Sequence, residues 1–396
     1  MNNQENNQIF KPTSETQVCE MVKWVLANNE SIDVFGTHTR KNVGKPMDTT
    51  CGLDMSGLKG VQLYEPEELV LSAGAGSSLA EIEKLLKDNN QQFEFEPPNF
   101  SHLLGNTSSG TLGGMVACGF AGPRRVKAGS VRDHVLGVRT VSGRGELFKS
   151  GGRVVKNVTG YDLPKILTSS WGTLGAMTQI TFKVLPKPET ENTLILLGLD
   201  STSANRAMTM ALGSVVDVSG AALLPDGRTA LRLEGIKPSV KSRVETLKKI
   251  LVEFGDIDVL QKTQSSKLWA DVRDVKALSS NDESAIWRIS VPPAAGAKYL
   301  ELIEQQLDVT AVMDWGGGLI WLEIHDQKTA CAAQVRSAVA KTGGHATLFR
   351  APEKSRAGSA VFQPQPDALA ALTARVKTVF DPKNILNPNR MYEAQG

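Results

Sequence analysis

The sequence predicts an α+β protein with two domains, and three observations support this prediction. The chain has 396 residues, which exceeds one average domain and is long enough to bury a large core. Segments with helical apolar spacing alternate with short β-type segments that end at glycine or proline. Pro186 and Pro188 close a β-rich segment, so we expect the first domain to end at residue 187.

The N-terminal part opens with a β-α-β pattern. Residues 14–29 carry apolar side chains at helical spacing, and SIDVFG predicts a short strand that ends in glycine. The pattern recurs, because LVLSAGAG predicts a strand and SSLAEIEKLLKDNN predicts a helix with Ser77 or Ser78 as its N-cap. QQFEFEPP predicts a strand that prolines stop, KILTSSW a helix, and GAMTQITFKVLPKPE a further strand.

Residues 188–365 predict a mixed unit of helices and strands. ANRAMTMALGS and VKSRVETLKKILVEFG have helical spacing, and ALLPDGRTALRLEG predicts a hairpin around Asp226 and Gly227. GGLIWLEI and HATLFR predict later strands. Residues 366–396 predict an amphipathic helix followed by a loop.

Composition excludes several classes of protein. Hydrophobic residues make up 41% and charged residues 22%, which is ordinary for a soluble globular protein, and the net charge of +2 indicates no nucleic-acid partner. No apolar run approaches the roughly 20 residues that span a bilayer. The opening MNNQENNQIF lacks the regions of a signal peptide. We therefore expect a cytoplasmic location and no direct membrane span.

The cysteines and histidines predict no metal site. Neither the C-x-x-C, the H-x-H nor the H-E-x-x-H spacing is present. Redox chemistry would therefore need an organic cofactor or a partner subunit. The residues concerned are Cys19, Cys51, Cys118, Cys331, His38, His102, His134, His325 and His345.

Glycine is concentrated between Gly105 and Gly175, which hold 15 of the chain's 36 glycines. Because glycine weakens regular elements, this crowding indicates backbone that bends sharply or approaches a ligand closely. FGTHTRKNVGK (35–45) follows a strand and could form a concave anion site from backbone N–H groups, with Arg40 and Lys41 adding positive charge. SGTLGGMVACGFAGPRR (109–125) could begin a helix whose N–H groups face a phosphate.

Each glycine-rich segment also has a purely structural interpretation. The first could be a solvated basic loop, and the second a closely packed helix. In GGRVVKNVTGYDLPK (151–165), the Tyr-Asp pair after a glycine could cap the next helix. GAGSSL (74–79) lacks the third glycine of a dinucleotide-binding turn, so a plain strand-to-helix turn is favoured over a nicotinamide site there.

Taken together, these segments resemble a known family. Residues 36–44, 111–137, 151–163 and 170–186, with the terminal DPKNILNPNRM, are similar to the FAD-binding family typified by vanillyl-alcohol oxidase and p-cresol methylhydroxylase. Within it, they resemble the FAD-binding E subunits of bacterial glycolate oxidases. The resemblance implies a two-subdomain FAD-binding domain (1–187), a mixed α/β cap on the substrate side (188–365), and a C-terminal segment that returns to the FAD domain (366–396).

The resemblance also implies positions along FAD. It places two segments at the diphosphate, a third along the flavin and ribityl chain, a fourth close to the cofactor, and a fifth at the adenine end. In chain order these residues are Gly36, Thr37, His38, Thr39, Arg40; Thr111, Gly113, Gly114; Gly122, Ser130, Asp133; Gly160, Tyr161, Asp162; and Gly172, Leu174, Gly175. Lys156, Tyr161 and Asp162 would fix the cofactor or hold the loop.

The sequence departs from the family pattern in two places. His38 stands where many relatives with non-covalent FAD carry glycine, so both covalent and non-covalent attachment stay open. The H-x-G-D-G-N-x-H and E-H-G signatures of the related catalytic subunits are absent. For a substrate carboxylate the candidates are Arg124, Arg125 and Arg390, because arginine binds carboxylates in bidentate fashion, and Tyr161 is the candidate near the chemistry.

The implied function is that of a FAD-binding subunit of a glycolate or other 2-hydroxy acid oxidase. FAD would accept hydride from the hydroxy acid, or this subunit would relay electrons to an iron-sulfur subunit. The alternatives are a flavin-binding structural subunit without turnover and a nicotinamide-dependent dehydrogenase. The implied partners are the catalytic FAD subunit and the iron-sulfur subunit of one complex, which would lie in the cytoplasm or peripherally at the inner face of the membrane.

Overall fold

The computed structural model describes residues 8–153, 160–279, 284–325 and 329–393. Its N-terminal module comprises the elements up to residue 186. The strands are β1 Gln8–Phe10, β2 Ile32–Phe35, β3 Cys51–Asp54, β4 Val61–Glu65, β5 Val70–Gly74, β6 Gln91–Gln92, β7 Val135–Val141, β8 Leu147–Gly151, β9 Ala176–Lys183 and β10 Leu185–Pro186. The helices are α1 Glu15–Ala27, α2 Leu79–Asp88, α3 Ser101–Leu104, α4 Leu112–Cys118, α5 Arg125–Ala128, α6 Val131–His134 and α7 Leu163–Leu167, with a 3₁₀ turn at Met55–Gly57.

The remaining elements form a sheet module and a C-terminal segment that begins with the last helix. The strands are β11 Thr190–Leu196, β12 Gly220–Leu223, β13 Thr229–Gly235, β14 Ile257–Leu260, β15 Ala285–Ser290, β16 Val309–Asp314, β17 Leu319–Ile324 and β18 His345–Arg350. The helices are α8 Ser201–Leu212, α9 Lys237–Ile250, α10 Lys262–Arg273, α11 Gly296–Glu304, α12 Ala332–Thr342, α13 Glu353–Ala357 and α14 Asp367–Phe380, with 3₁₀ turns at Val252–Phe254, Pro293–Ala295 and Trp315–Gly317.

Two sheets organise the N-terminal module within the described residues. A three-stranded parallel sheet has the order β1-β3-β2, and a five-stranded antiparallel sheet has the order β4-β5-β9-β7-β8. The predicted β-α-β opening is confirmed, because α1 connects β1 to β2. Val18, Val22 and Val25 are fully buried at helical spacing, and Ser14 accepts the Gln17 N–H as the N-cap.

The local predictions mostly agree with these elements. Ser78 is the N-cap of α2, and the hairpin at Asp226 and Gly227 joins β12 to β13. The QQFEFEPP prediction is wrong in extent, because only Gln91 and Gln92 form a strand, β6, which pairs with β10. Phe93 and Phe95 are instead buried in the core beneath the five-stranded sheet.

The sheet module is built on an antiparallel sheet with the order β14-β11-β13-β12-β16-β17-β15-β18 in the described chain. Successive residues of β15 face opposite sides, as in any strand. Trp287 donates to the Ala330 carbonyl on the side of α12, whereas Arg288 lies over the ring of Phe120 from the N-terminal module. The two modules therefore meet across the Arg288 side of this sheet, and the α+β class is confirmed.

An aromatic cluster fills the contact between the modules. Phe100 and Phe120 pack edge-on against each other and against Phe349 of β18, and Phe349 packs on Trp321 of β17. Trp171 continues the cluster, with its ring 5.8 Å from that of Phe120. The hydrophobic core is thus continuous from one module to the other. No helix in the described ranges is long and apolar enough to cross a membrane.

Candidate functional site

A cleft opens between the N-terminal module and the C-terminal segment. Its empty volume is about 810 Å³, including space open to solvent. The loop after β2, the start of α4, the turn before β9 and the C-terminal segment form its walls. The predicted residues that line it are Gly36, Thr37, His38, Thr39, Arg40, Thr111, Gly113, Gly114, Gly172, Gly175 and Arg390.

The loop after β2 carries unused backbone donors. Among the described residues, no acceptor is found for the backbone N–H of Thr37, His38, Thr39 or Arg40. His38 has a φ of +54°, a left-handed conformation that is uncommon outside glycine. Successive N–H groups around such a turn form a concave site for an anion. The predicted anion site therefore has backbone N–H donors that are available to an anion.

Arg40 adds an unpaired charge to the same loop. Its Nε is buried and has no hydrogen-bond partner in the described structure. A Cβ built on Gly110 would lie 3.3 Å from Nη1 of Arg40, and one on Gly114 would lie 3.7 Å from it. A side chain at either glycine would occupy space next to the guanidinium. Since a buried donor without an acceptor is costly, the Nε of Arg40 indicates that an anion binds here.

The first turn of α4 does not behave as predicted. The N–H groups of Leu112, Gly113 and Gly114 donate to the Ser77 carbonyl, the Ala75 carbonyl and Thr111 Oγ1, respectively. The prediction that these donors face a phosphate is therefore wrong, although the residues line the cleft. A Cβ on Gly113 would lie 3.0 Å from Ala75, so this glycine is needed for close packing of α4 on the end of β5.

The C-terminal segment closes the cleft. Its main contact is made by Asn387, which no sequence pattern indicated. Asn387 Oδ1 accepts the Val34 N–H at 2.6 Å, and Asn387 Nδ2 donates to the Trp171 carbonyl at 2.7 Å. Arg390 donates to the Arg40 carbonyl at 2.7 Å. Asn387 thus connects β2 to the turn before β9, and Arg390 holds the loop after β2. Burial lowers the pKa of the Arg390 guanidinium.

Two further side chains shape the cleft. The His38 imidazole stacks on Phe35 with 3.4 Å between ring centroids, and its Nε2 lies 3.2 Å from Asp33 Oδ2. Cys118 lines the opposite wall. Burial raises the pKa of the Cys118 thiol, against the opposing effect of Arg40 and Arg390, so this thiol is kept protonated. Covalent and non-covalent attachment of FAD at His38 both stay open.

Other predicted residues lie outside the cleft. Ser130 and Asp133 form a capping box at α6, in which Asp133 Oδ2 accepts the Ser130 N–H at 2.7 Å. Asp162 stands at the N-cap of α7 and pairs with Lys165 at 2.8 Å. Tyr161 is 87% exposed, which leaves it on the surface rather than in an enclosed site. The remaining residues outside are Gly122, Gly160 and Leu174. Lys156 lies outside the described residues.

Arg124 is already engaged by carboxylates. It forms ion pairs with Glu96 at 3.2 Å and with Glu234 at 2.6 Å, and its side chain is only 9% exposed. Arg232 joins the same network through Glu96 at 2.8 Å. The charge of Arg124 is therefore balanced within the protein, between the two modules. It is not available to a substrate carboxylate, which corrects the prediction for this residue.

The GAGSSL turn has no room for a dinucleotide. A Cβ on Gly74 would lie 2.3 Å from the Leu58 carbonyl oxygen, and one on Gly76 would lie 2.2 Å from that of Met55. These glycines serve the packing of β5 on the chain before β4. The interpretation of GAGSSL as a structural turn is confirmed, and the nicotinamide alternative loses its motif.

The donor set of the cleft fits a diphosphate-containing cofactor. Unused backbone donors, a half-buried arginine whose Nε has no partner in the described structure, and closely spaced glycines suit two linked phosphates. Within the residues that the structure describes, no group of three or more histidine, cysteine, aspartate or glutamate side chains could hold a metal ion.

Comparisons with known proteins agree with this arrangement. Residues 7–151 match the FAD binding domain family. The chain is 33% identical to glycolate oxidase subunit GlcE of Escherichia coli over 94% of this chain and 96% of that protein. It is 39% identical to glycolate oxidase subunit GlcD of Bacillus subtilis, over 26% of this chain and 21% of that protein. The structure of 4-ethylphenol oxidase from Gulosibacter chungangensis superposes with a TM-score of 0.71 and 12% identity, covering 97% and 89% of the two chains.

The domain match and the glycolate oxidase relative define a FAD-dependent oxidoreductase, and the superposed structure shows a fold of the vanillyl-alcohol oxidase type. Sequence identity along almost the whole chain narrows this class further. The chain belongs to the family of FAD-binding oxidase subunits that includes glycolate oxidase subunit GlcE.

Proposed function

We propose that this chain is the FAD-binding subunit of a complex that oxidises glycolate or a closely related 2-hydroxy acid. The observation that carries the proposal is the loop of residues 37–40, whose N–H groups lack acceptors in the described structure, next to the unpaired guanidinium of Arg40. These groups would bind the diphosphate of FAD. The names of the two glycolate oxidase relatives support the substrate class.

FAD, when bound, would supply an acceptor for the hydride that leaves the carbinol carbon of the substrate. The residues of this chain would hold that cofactor and exclude water. Arg390 holds the loop of residues 37–40 by donating to the Arg40 carbonyl, and Asn387 holds β2, from which this loop starts. Trp171 belongs both to the wall of the cleft and to the aromatic cluster between the modules. A base would take the hydroxyl proton, and we assign that role to no residue.

A relay or structural role without turnover is the second candidate. Tyr161, the predicted residue near the chemistry, is on the surface, and apolar side chains lie exposed close to it in the chain or on the last helix. Such side chains favour contact with another subunit, for which a catalytic FAD subunit and an iron-sulfur subunit are the proposed partners. The exposed residues are Ile166, Leu369, Leu372 and Val379.

The experiment is a visible spectrum of the purified chain before and after anaerobic addition of glycolate. A flavin band that bleaches would support oxidation of the substrate by this subunit. A flavin band that persists would favour the relay or structural role. A folded chain that binds no added FAD would refute the proposal.

A further inference from the structure

Arg288 of β15 is a half-buried arginine that has no acidic partner in the described residues. Its guanidinium carbon lies 5.5 Å from the ring centre of Phe120, 5.2 Å from that of Trp315 and 5.9 Å from that of Trp321. In the part of the chain that the structure describes, the guanidinium forms no hydrogen bond and no ion pair. The charge is therefore held by three aromatic rings rather than by a carboxylate.

A second arginine faces the same place from the N-terminal module. The guanidinium carbon of Arg125 lies 4.3 Å from the ring centre of Trp315, and within the described residues its side chain also has no hydrogen-bond acceptor. Burial, together with the neighbouring charge of Arg125, lowers the pKa of Arg288 to about 10. Burial, Arg288 and Arg125 likewise lower the pKa of His345 on β18. Three basic groups from different elements thus converge.

The other well-buried arginines show that this state is unusual. Arg124 and Arg232 bind the carboxylates of Glu96 and Glu234. Arg390 donates to backbone carbonyls. Arg288 has neither kind of acceptor among the described residues. Arg40, in the proposed diphosphate site, is likewise half-buried and without a partner among the described residues, which indicates that Arg288 also awaits an anion.

Trp315, which contacts both arginines, is held in a strained conformation. Its φ is +54°, which is rare for a bulky side chain. Asp314 Oδ1 accepts the Trp315 N–H at 2.7 Å, and Trp315 Nε1 donates to the Gly122 carbonyl at 3.0 Å. These contacts fix the indole where both guanidinium groups meet it. The strain therefore serves the arrangement around the two arginines.

We propose that Arg288 and Arg125 bind the carboxylate of the substrate, with Trp315, Trp321 and Phe120 as the apolar wall of that subsite. This inference rests on the proposed function for the identity of the substrate, a small 2-hydroxy monocarboxylate. A planar guanidinium matches the two oxygens of a carboxylate, and a second cation strengthens the binding of a single negative charge.

The location agrees with the proposed cofactor site. Phe120, which contacts Arg288, packs on Trp171, which lines the cleft. Arg288 comes from the sheet module and Arg125 from the N-terminal module, so a bound carboxylate would connect the two. The subsite is thus reached from the contact between the modules, next to the wall of the cleft.

The test is calorimetric titration of the full chain, supplied with FAD, with glycolate, acetate and oxalate, and with ethylene glycol as a probe that lacks a carboxylate. The variants are Arg288→Met and Arg125→Met. Arg206→Met is the matched control, because Arg206 also lies over a ring, that of Phe254, but is exposed and paired with Glu253. We expect each of the first two variants to weaken carboxylate binding by roughly tenfold to hundredfold, and the control to bind like the wild type.

The outcomes separate this inference from the proposed function. Carboxylate binding that is unchanged in both Arg288→Met and Arg125→Met, or absent in the wild type, would overturn the subsite. Binding that depends on both arginines, in a chain whose flavin glycolate does not reduce, would support the subsite and refute turnover by this chain. Reduction of the flavin together with unchanged binding in the variants would support turnover and overturn the subsite.

Folding of the variants is checked independently. Arg288→Met removes a desolvated cation that has no partner in the described structure, so its melting temperature should be no lower than that of the wild type, and it should retain the same amount of FAD. Arg288→Lys is the second variant. It keeps the charge but loses the planar fork, so we expect at least a tenfold loss of carboxylate affinity. Wild-type affinity in both Arg288 variants would overturn the assignment.

Discussion

At the scale of single residues, each of the two proposed ligand sites contains an arginine that has no partner among the described residues. The sequence indicated Arg40 through the glycines around it, and the structure leaves its Nε without a partner in the described chain. The sequence could not indicate Arg288, because it sits inside an ordinary strand pattern, AIWRIS. Its lack of a counter-charge is a property of the packed sheet. Local sequence therefore predicts ligand loops better than ligand-binding side chains on strands.

Arg40→Met should weaken FAD binding. The substitution keeps much of the apolar stem but removes the charge that would pair with a phosphate, so we expect the dissociation constant to rise roughly tenfold or more. Fluorescence titration of the FAD-free chain with FAD measures it. Arg228→Met, at a surface hairpin where Arg228 pairs with Asp226, is the control and should bind FAD like the wild type. Equal dissociation constants for all three proteins would contradict the diphosphate assignment.

Asp314→Asn should alter the pH dependence of stability. Burial raises the pKa of Asp314 from 3.8 to about 7, opposed by the hydrogen bond from the Trp315 N–H. The other charged groups that act on it are Glu96, which raises the pKa, and Arg232, which lowers it. The native state therefore keeps a proton between pH 4 and 7 that the unfolded state has lost, and stability due to this group falls as pH rises through that range.

Asparagine keeps an oxygen acceptor for Trp315 and does not titrate. The variant should match the wild type near pH 4 and exceed it above pH 7 by a margin on the order of 4 kcal/mol. Urea unfolding at several pH values measures the difference. Asp226→Asn is the control, because hydrogen bonding to Arg228 lowers the pKa of Asp226, so that any effect has the opposite sign. A constant difference between Asp314→Asn and the wild type from pH 4 to 8 would disprove the assignment.

At the scale of elements, apolar periodicity predicted the long helices and strands, whereas tertiary contacts decided the short ones. Val18, Val22 and Val25 gave α1 unambiguously. Phe93 and Phe95 suggested a long strand by alternation, but both are buried in the core beneath the five-stranded sheet, and pairing with β10 ends after Gln92. Gly113 was correctly placed at a helix start, yet its neighbour is Ala75. The sequence shows that a glycine is needed without showing which atoms approach it.

The Glu96–Arg124–Glu234–Arg232 network joins the N-terminal module to β13, and Glu234→Ala tests its contribution. Burial alone would raise the pKa of Glu234, but Arg232 and Arg124 lower it overall, so the carboxylate is ionised. Removing it leaves two desolvated arginines with one carboxylate, and we expect a loss of about 3 kcal/mol or more in the free energy of unfolding.

Denaturant unfolding monitored by tryptophan fluorescence measures that loss. Asp88→Ala is the control, since Asp88 pairs with Lys84 on an exposed helix face, and we expect a change below about 0.5 kcal/mol. A loss smaller than about 1 kcal/mol in Glu234→Ala would mean that the modules are held together by their aromatic contact alone. The domain limits at residues 187 and 365 stay predictions that such unfolding curves would also inform.

At the scale of the whole molecule, the chain returns to its beginning to complete the cofactor cleft. Leu386 forms a β-bridge with Ile32 of β2, and Asp381 accepts the N–H groups of Ile385 and Leu386. Asn387 then connects Val34 to the Trp171 carbonyl. The sequence predicted only a loop after the last helix, because nothing local in DPKNILNPNRM specifies a contact more than 300 residues away. Only the family resemblance predicted that this segment returns to the N-terminal module. Composition and periodicity do not predict such a contact.

A chain that ends after residue 380 should fold in large part but lose FAD. The sheets and the aromatic cluster lie before this point, so far-UV circular dichroism should stay close to that of the wild type. The loop after β2 would lose the hydrogen bonds that Arg390 donates to it, and β2 would lose the acceptor that Asn387 offers to Val34, so ordering the loop on binding would cost additional conformational entropy. We expect the flavin content of the purified protein to fall at least tenfold.

The double variant Asn387→Ala, Arg390→Met removes the same contacts without shortening the chain, and it should lose FAD to a similar degree. Arg375→Ala, on the last helix before the truncation point, is the control. If the truncated chain retained FAD at the wild-type ratio, the loop would have to hold its shape without the C-terminal segment. Loss of FAD in both the truncated chain and the double variant, with retention in the control, would establish that residues from opposite ends of the chain build one cofactor site.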